Sequence, residues 1–119
     1  MHNVNVPLLR KTLEWATNHP EEHRQDVYGV RTPWGTAYCI AGKVAVDAGH
    51  KLDWDWGGAE QVAASLANLA DIARRLLGLP YDSLNWASKL FGPRNSLADL
   101  WRMAADYTEG EIEVPEEFR

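Results

Sequence analysis

The segment His19-Pro20-Glu21-Glu22-His23 spells H-x-x-E-H, the inverted zinc-peptidase signature. In that chemistry two histidines one turn apart on a continuous helix bind zinc, and a glutamate acts as general base. Pro20 argues against it. A proline disfavours helical geometry at the residue before it, so His19 is expected outside the helix that Pro20 opens. Zinc also needs a third protein ligand. The later glutamates are Glu60, Glu109, Glu111, Glu113, Glu116 and Glu117, most of them in an acidic C-terminal run. The alternative is a helix opening, with Glu21 and Glu22 complementing the dipole of the first turn.

The single cysteine, Cys39, is the second candidate. It falls near an expected helix N-terminus, where the dipole lowers a thiol's pKa. A nucleophilic cysteine needs a histidine within hydrogen-bond reach. His50 is eleven residues on, and at ~1.5 Å rise per residue that is about 16 Å along a straight helix. His19 or His23 would have to fold back to reach it. Free cysteine is among the most buried residue types, so Cys39 has a structural reading as well. The sequence contains no G-x-x-x-x-G-K-[ST] phosphate loop, no G-x-S-x-G elbow and no Cys-pair metal spacing. No cofactor is expected.

The third candidate is a binding surface. Leu52-Asp53-Trp54-Asp55-Trp56 alternates apolar and acidic residues and ends at Gly57-Gly58. That period of two predicts a strand with Trp54 and Trp56 on one side and Asp53 and Asp55 on the other. The tryptophan side is either core or a pair of aromatic anchors for a partner. Arg31, Trp34 and Tyr38 offer a second polar-aromatic patch that sequence alone does not locate. Six tryptophans in 119 residues are enough to supply both a core and a surface.

The elements that position these residues are mostly helical. The spacing predicts a helix over 6–18 with Leu9, Leu13 and Ala16 on one face, and a short one opening at Pro20. A third runs from about Thr36, its expected N-cap, to Ala48, with Gly49 beyond its end. Ala37, Ala41, Gly42, Ala45 and Ala48 make this helix slim, so it is placed at the centre, with Lys43 and Asp47 as its polar stripe. A further helix starts at Ala59 or near Asn68 and stops at Gly78, its apolar face running through Leu66, Leu69, Ala70, Ala73, Leu76 and Leu77. Another is expected over 81–91, capped by Asp82, and the last after Asn95 or Ser96, with Leu97, Leu100, Trp101 and Ala104 inside. The expected fold is mainly α: a compact single domain of about five short helices. A small two-stranded β-ribbon, around 26–31 and 50–56, is added with the reservation that such ribbons are marginal alone. Residues 110–119 are expected to form an acidic, extended tail.

Composition narrows the function classes. Apolar residues at 45% and charged residues at 24% are ordinary for a globular domain. A lone cysteine fits a reducing compartment, meaning cytoplasm. No apolar run approaches the ~20 residues of a membrane helix, and the opening MHNVNVPLL has no signal-peptide pattern. Net charge is −5 with the basic residues scattered, so direct nucleic-acid binding is not expected.

The segments HPEEHRQDVYG, GTAYCIAGKVAVDAG, ARRLLGLP and LFGPRNSLADLWRMAADY follow one another in an order that resembles a family of small proteins of actinobacteria and their bacteriophages. G-T-A-x-C-x-A-G is the most specific part, and the similarity spans about residues 10–108. The resemblance implies an origin and a fold type, not a reaction. In that family a tryptophan occupies the position of His23, which speaks against a metal ligand there. The expected function is that of a phage-encoded accessory protein binding a host or phage protein in the host cytoplasm, with homodimerisation open. The alternatives are a small enzyme using Cys39 or His19/His23, and a regulator reaching nucleic acid through a protein partner.

Overall fold

A computed structural model describes residues 2–33, 35–57, 60–63, 69–80 and 90–119. Helix α1, Val6–Asn18, is capped by Asn5, whose side-chain oxygen accepts from the Leu8 N–H at 3.2 Å. Its buried face is the predicted stripe of Leu9, Leu13 and Ala16 together with Thr12 beside it. His19 closes it through a bond from its N–H to the Trp15 carbonyl, and Pro20–Glu22 form a single 3-10 turn. Pro20 thus separates the two histidines as its geometry requires.

The chain then builds an antiparallel sheet. Strand β1 is Val30–Thr32, β2 Gly35–Ala37, β3 Trp54–Gly57 and β4 Glu60–Ala63, in the spatial order β2-β1-β4-β3. This corrects the expected ribbon. The segments around 30 and 55 are both extended, but they do not pair with each other. β4 lies between them, with Val62 opposite both Val30 and Asp55. The segment Glu60–Ala63 falls where a helix starting at Ala59 would run, yet its backbone groups are taken by two strands. The mainly-α expectation therefore holds only in part: the described residues contain four α-helices beside a four-stranded sheet. The helix expected over 81–91 falls largely outside the described residues.

Helix α2, Ile40–Asp47, starts later than Thr36 suggests. Thr36 sits in β2 opposite Arg31, and β-branched threonine suits that strand. Cys39 is the cap instead, its Sγ accepting from the Gly42 N–H at 3.4 Å. Gly49 follows the helix at φ +95°, which a side chain would strain. Helix α3, Leu69–Leu77, buries Leu69, Ala73 and Leu77 and ends at Gly78. Helix α4, Leu97–Tyr107, opens with a reciprocal cap: Ser96 Oγ accepts from the Asp99 N–H at 3.1 Å, and Asp99 Oδ2 from the Ser96 N–H at 3.0 Å. Those bonds hold the Asp99 carboxyl below its usual pKa.

The principal core gathers Leu9 and Leu13 of α1, Ile40 and Val44 of α2, Leu77 of α3 and Leu100 and Trp101 of α4. The Trp101 indole N–H reaches Thr17 Oγ1 at 3.0 Å, tying α4 to α1. A second cluster, Ala45, Leu52, Ala63 and Leu69, joins α2 and α3 to the sheet. The radius of gyration is 13.9 Å, against ~13.5 Å for one compact domain of this length. The acidic C-terminal segment is less free than its charge suggests. Ile112 is fully buried, its N–H bonded to Thr108 Oγ1 at 3.0 Å, and Glu116–Phe118 make a 3-10 turn.

Candidate functional site

His19 and His23 have different surroundings. His19 Nδ1 lies 3.2 Å from Glu22 and 3.6 Å from Glu21, all three on the exposed surface of the 3-10 turn or at its margin. These three form the only group among the described residues whose potential ligand atoms cluster, and His23 is not in it. A solvated histidine–carboxylate pair explains the geometry without an ion.

His23 instead packs its ring edge-on to Trp15, with centroids 5.8 Å apart, and its Nε2 lies 2.9 Å from Gln25 Oε1. The Gln25 amide nitrogen donates to the carbonyls of Leu90 and Gly92, both at 3.1 Å. With the amide nitrogen committed, Gln25 Oε1 must accept, so His23 Nε2 carries the proton. This chain of bonds staples the segment after α1 to the segment before α4. Lys43 stands over the other part of the Trp15 environment, its Nζ 5.0 Å from the ring and 3.3 Å from Asp47.

Cys39 is 3% exposed and faces a cleft of 360 Å³ with Asp26, Tyr28 and Phe91 among its lining residues. Burial pushes the thiol pKa up, against the lowering effect of the backbone N–H groups of the α2 cap, and the charge of Asp26 adds to the rise. The helix dipole that sequence suggests as an activator is thus outweighed by desolvation. Among the described residues no histidine hydrogen-bonds Cys39, and its sulfur is occupied as a cap. Tyr28 is likewise held protonated above its ordinary pKa, first by burial and then by Cys39.

The G-T-A-x-C-x-A-G segment therefore has a structural role at several positions. Gly35, Thr36 and Ala37 form β2, Cys39 caps α2, Ala41 is in the core, and Gly42 meets the backbone of Tyr28. A Cβ on Gly42 would stand 1.9 Å from the Tyr28 carbonyl oxygen. The slim central helix inferred from small residues is this close approach.

The alternating Asp-Trp segment does form a strand. Asp53 is exposed just before it. Trp54 is half-buried against the second core cluster, with its ring edge over Gly29. The Arg31 guanidinium lies 4.0 Å from the Trp54 ring centroid, within cation–π range. Arg31 thus finds Trp54, which the sequence does not suggest; Tyr38 packs on the second cluster, and Trp34 lies outside the described residues. No spacing signal in the sequence links positions 31 and 54, because β4 separates their strands. The side chains of Asp55 and Trp56 lie outside the described residues, but their backbones pair with Val62 and Gln61. Among the described residues β3 is the terminal strand of its sheet, and only β4 pairs with it. The opposite edge, β2, continues into Tyr38, which is bridged in parallel by His23, with Arg24 N–H to Tyr38 O at 2.9 Å and Tyr38 N–H to Glu22 O at 2.8 Å.

No protein-family model matches the chain, and comparisons with curated proteins and with solved structures return no match. No helix among the described residues is long and apolar enough to cross a membrane.

Proposed function

We propose that this chain is a phage-encoded accessory protein that acts by protein–protein interaction in the host cytoplasm, through Trp54, Asp55 and Trp56 of β3 and the flanking Asp53. The observation that carries the reading is the sheet order, which among the described residues leaves Trp54–Gly57 as an edge strand. An edge strand presents backbone N–H and C=O groups to an added strand, and alternate side chains then supply specificity. Arg31 of β1 over Trp54 of β3 places a cation and an aromatic ring together on a face of the same sheet. The resemblance of its motif order to that of small actinobacterial and actinophage proteins is the support for the origin.

The partner is an extended protein segment with basic residues. Antiparallel pairing of two β3 strands would bring the Asp53 and Asp55 pairs of two copies together, and like charges across strands are destabilising. A basic segment reverses that sign. The test is affinity capture from host lysate with the wild type and an Asp53→Lys/Asp55→Lys variant of equal thermal stability, followed by crosslinking to map the contact. A partner crosslinked near β3 and lost with the variant supports the reading. A partner retained by the variant, or no partner at all, refutes it.

A further inference from the structure

The sheet has a second edge, at β2. Strand β1 pairs one side of β2, and on the other side only its extension through Tyr38 finds a partner among the described residues. Tyr38 N–H donates to Glu22 O at 2.8 Å and Tyr38 O accepts from Arg24 N–H at 2.9 Å, so both groups point away from β1. Along a strand, residues two apart present their backbone groups to the same side. Thr36 therefore presents its N–H and C=O to the same outer edge. Its position opposite Arg31 agrees, since the hairpin closes at Thr32 and Gly35 and the next pair in is not hydrogen-bonded.

The reason this edge stays open is local. The segment bonded to Tyr38 runs parallel to β2. In a continued parallel ladder Thr36 N–H would donate to Pro20 O, and Thr36 O would accept from Glu22 N–H. Both of those groups are used inside the 3-10 turn. Pro20 O accepts from His23 N–H at 3.4 Å, and Glu22 N–H donates to His19 O at 2.9 Å. The ladder stops after one bridge, and Thr36 keeps an unpaired donor and acceptor among the described residues.

A groove of 390 Å³ opens at the same place. Val30, Thr32, Gly35 and Ala37 share one face of the hairpin, because Val30 is opposite Ala37 and Thr32 opposite Gly35, and they line one wall. The segment from Glu21 to Arg24 lines the other. The charged groups of the groove are Glu21, Glu22 and Arg24. Arg24 Nε is held by Asp26 at 3.0 Å, a pair that cancels. The two carboxylates share the His19 ring, whose Nδ1 lies 3.6 Å from Glu21 and 3.2 Å from Glu22. One imidazole, charged or neutral, does not balance two carboxylates, so this wall is negative.

We infer that the β2 edge is a second docking site, for an extended protein segment with a basic residue on each side of the one that pairs with Thr36. Antiparallel pairing suits the short gap, because one residue then exchanges both bonds with Thr36. Its two neighbours point to the opposite face of the sheet, which is the face of Gly35 and Ala37 and of the groove. A lysine or arginine there lays its apolar stem along Val30 and Ala37 and brings its charge to Glu21 or Glu22. Backbone bonds hold the segment and the side chains select it. The site is separate from β3, which lies at the other end of the sheet.

The test is titration of the full chain, followed by amide NMR, with four probes: acetyl-Lys-Val-Lys-amide, the same peptide N-methylated at valine, acetyl-Glu-Val-Glu-amide, and n-butylammonium chloride. The first peptide should saturate in the millimolar range, about 1–5 mM, with the largest shifts at Thr36 and at Val30 and Ala37. The N-methylated and acidic peptides should bind at least about fivefold more weakly, and n-butylammonium should not saturate. Glu21→Gln/Glu22→Gln should weaken the first peptide about fivefold, as expected for exposed ion pairs. Failure of the first peptide to saturate, equal binding of any of the other three probes, unchanged affinity in the double variant, or shifts confined to β3 overturns the assignment.

Discussion

Gly42→Ala sets two effects against each other. Alanine in place of glycine inside a helix is worth roughly 1 kcal/mol in propensity, so α2 alone would be stabilised. The structure predicts the opposite sign. The new methyl would stand 1.9 Å from the Tyr28 carbonyl oxygen and 2.9 Å from its carbon, where ordinary contact begins at 3.4 Å. The obstacle is backbone, so no rotamer change relieves it, and Tyr28 and α2 must part by about 1.5 Å. Tyr28 precedes β1, and Cys39 N–H bonds to Val27 O at 3.1 Å, so parting them strains the link between sheet and helix. Overpacking costs about 1–3 kcal/mol and occasionally more, and a backbone obstacle belongs at the upper end. After the helix gain, a net loss of about 2 kcal/mol remains, or roughly 6–10 °C in Tm for a domain of this size. Thermal and urea unfolding followed by far-UV circular dichroism measure it. A variant at least as stable as wild type would show that Tyr28 does not cross α2 at this glycine.

Three further outcomes follow from the same geometry. Cys39 should react with an aromatic disulfide reagent at pH 8 far more slowly than free cysteine, and at the ordinary rate in denaturant; fast reaction in the folded state would restore the thiol-enzyme reading. Ile112→Ala should cost about 2–4 kcal/mol, the loss of a fully buried large side chain, whereas a free tail would give no change in urea midpoint. Because the Tyr107 pKa is raised from 10.0 to about 12 in the folded state, the unfolded chain ionises first as pH rises. Stability from this group is complete below about pH 10 and declines as pH rises toward 12. Tyr107→Phe should flatten that alkaline decline; an unaltered pH profile would place the cause elsewhere.

Elements with a strong period of 3.6 are legible from the residues. The buried faces of α1 and α4, the Ser96 cap and the glycine stops at 49 and 78 follow the pattern, whereas in α3 Leu69, Ala73 and Leu77 are buried, Ala70 and Leu76 are half-buried, and Arg74 is buried outside the predicted stripe. Within the sheet β3 is legible from its Asp-Trp alternation, but the strand order is not, because the other strands are three or four residues long, too short for a period to be distinct. Glu60–Ala63 carries one β-branched residue, and its strand state comes from partners on both sides. Thr36 shows how a local cap signal can be displaced by three residues when the preceding segment finds a strand partner. The two sites depend on long-range contact: Arg31 reaches Trp54, and Tyr38 bonds to Glu22 and Arg24. The H-x-x-E-H match is explained by local geometry, since Pro20 ends one helix and opens a turn.

The most direct test of the proposed interaction is amide hydrogen exchange over residues 54–57, with and without a captured partner. If β3 accepts a partner strand, those amides should become protected on binding, with the amides of α1 unchanged and protection absent in the Asp53→Lys/Asp55→Lys variant. Unchanged exchange at β3 in a saturated complex would contradict the account.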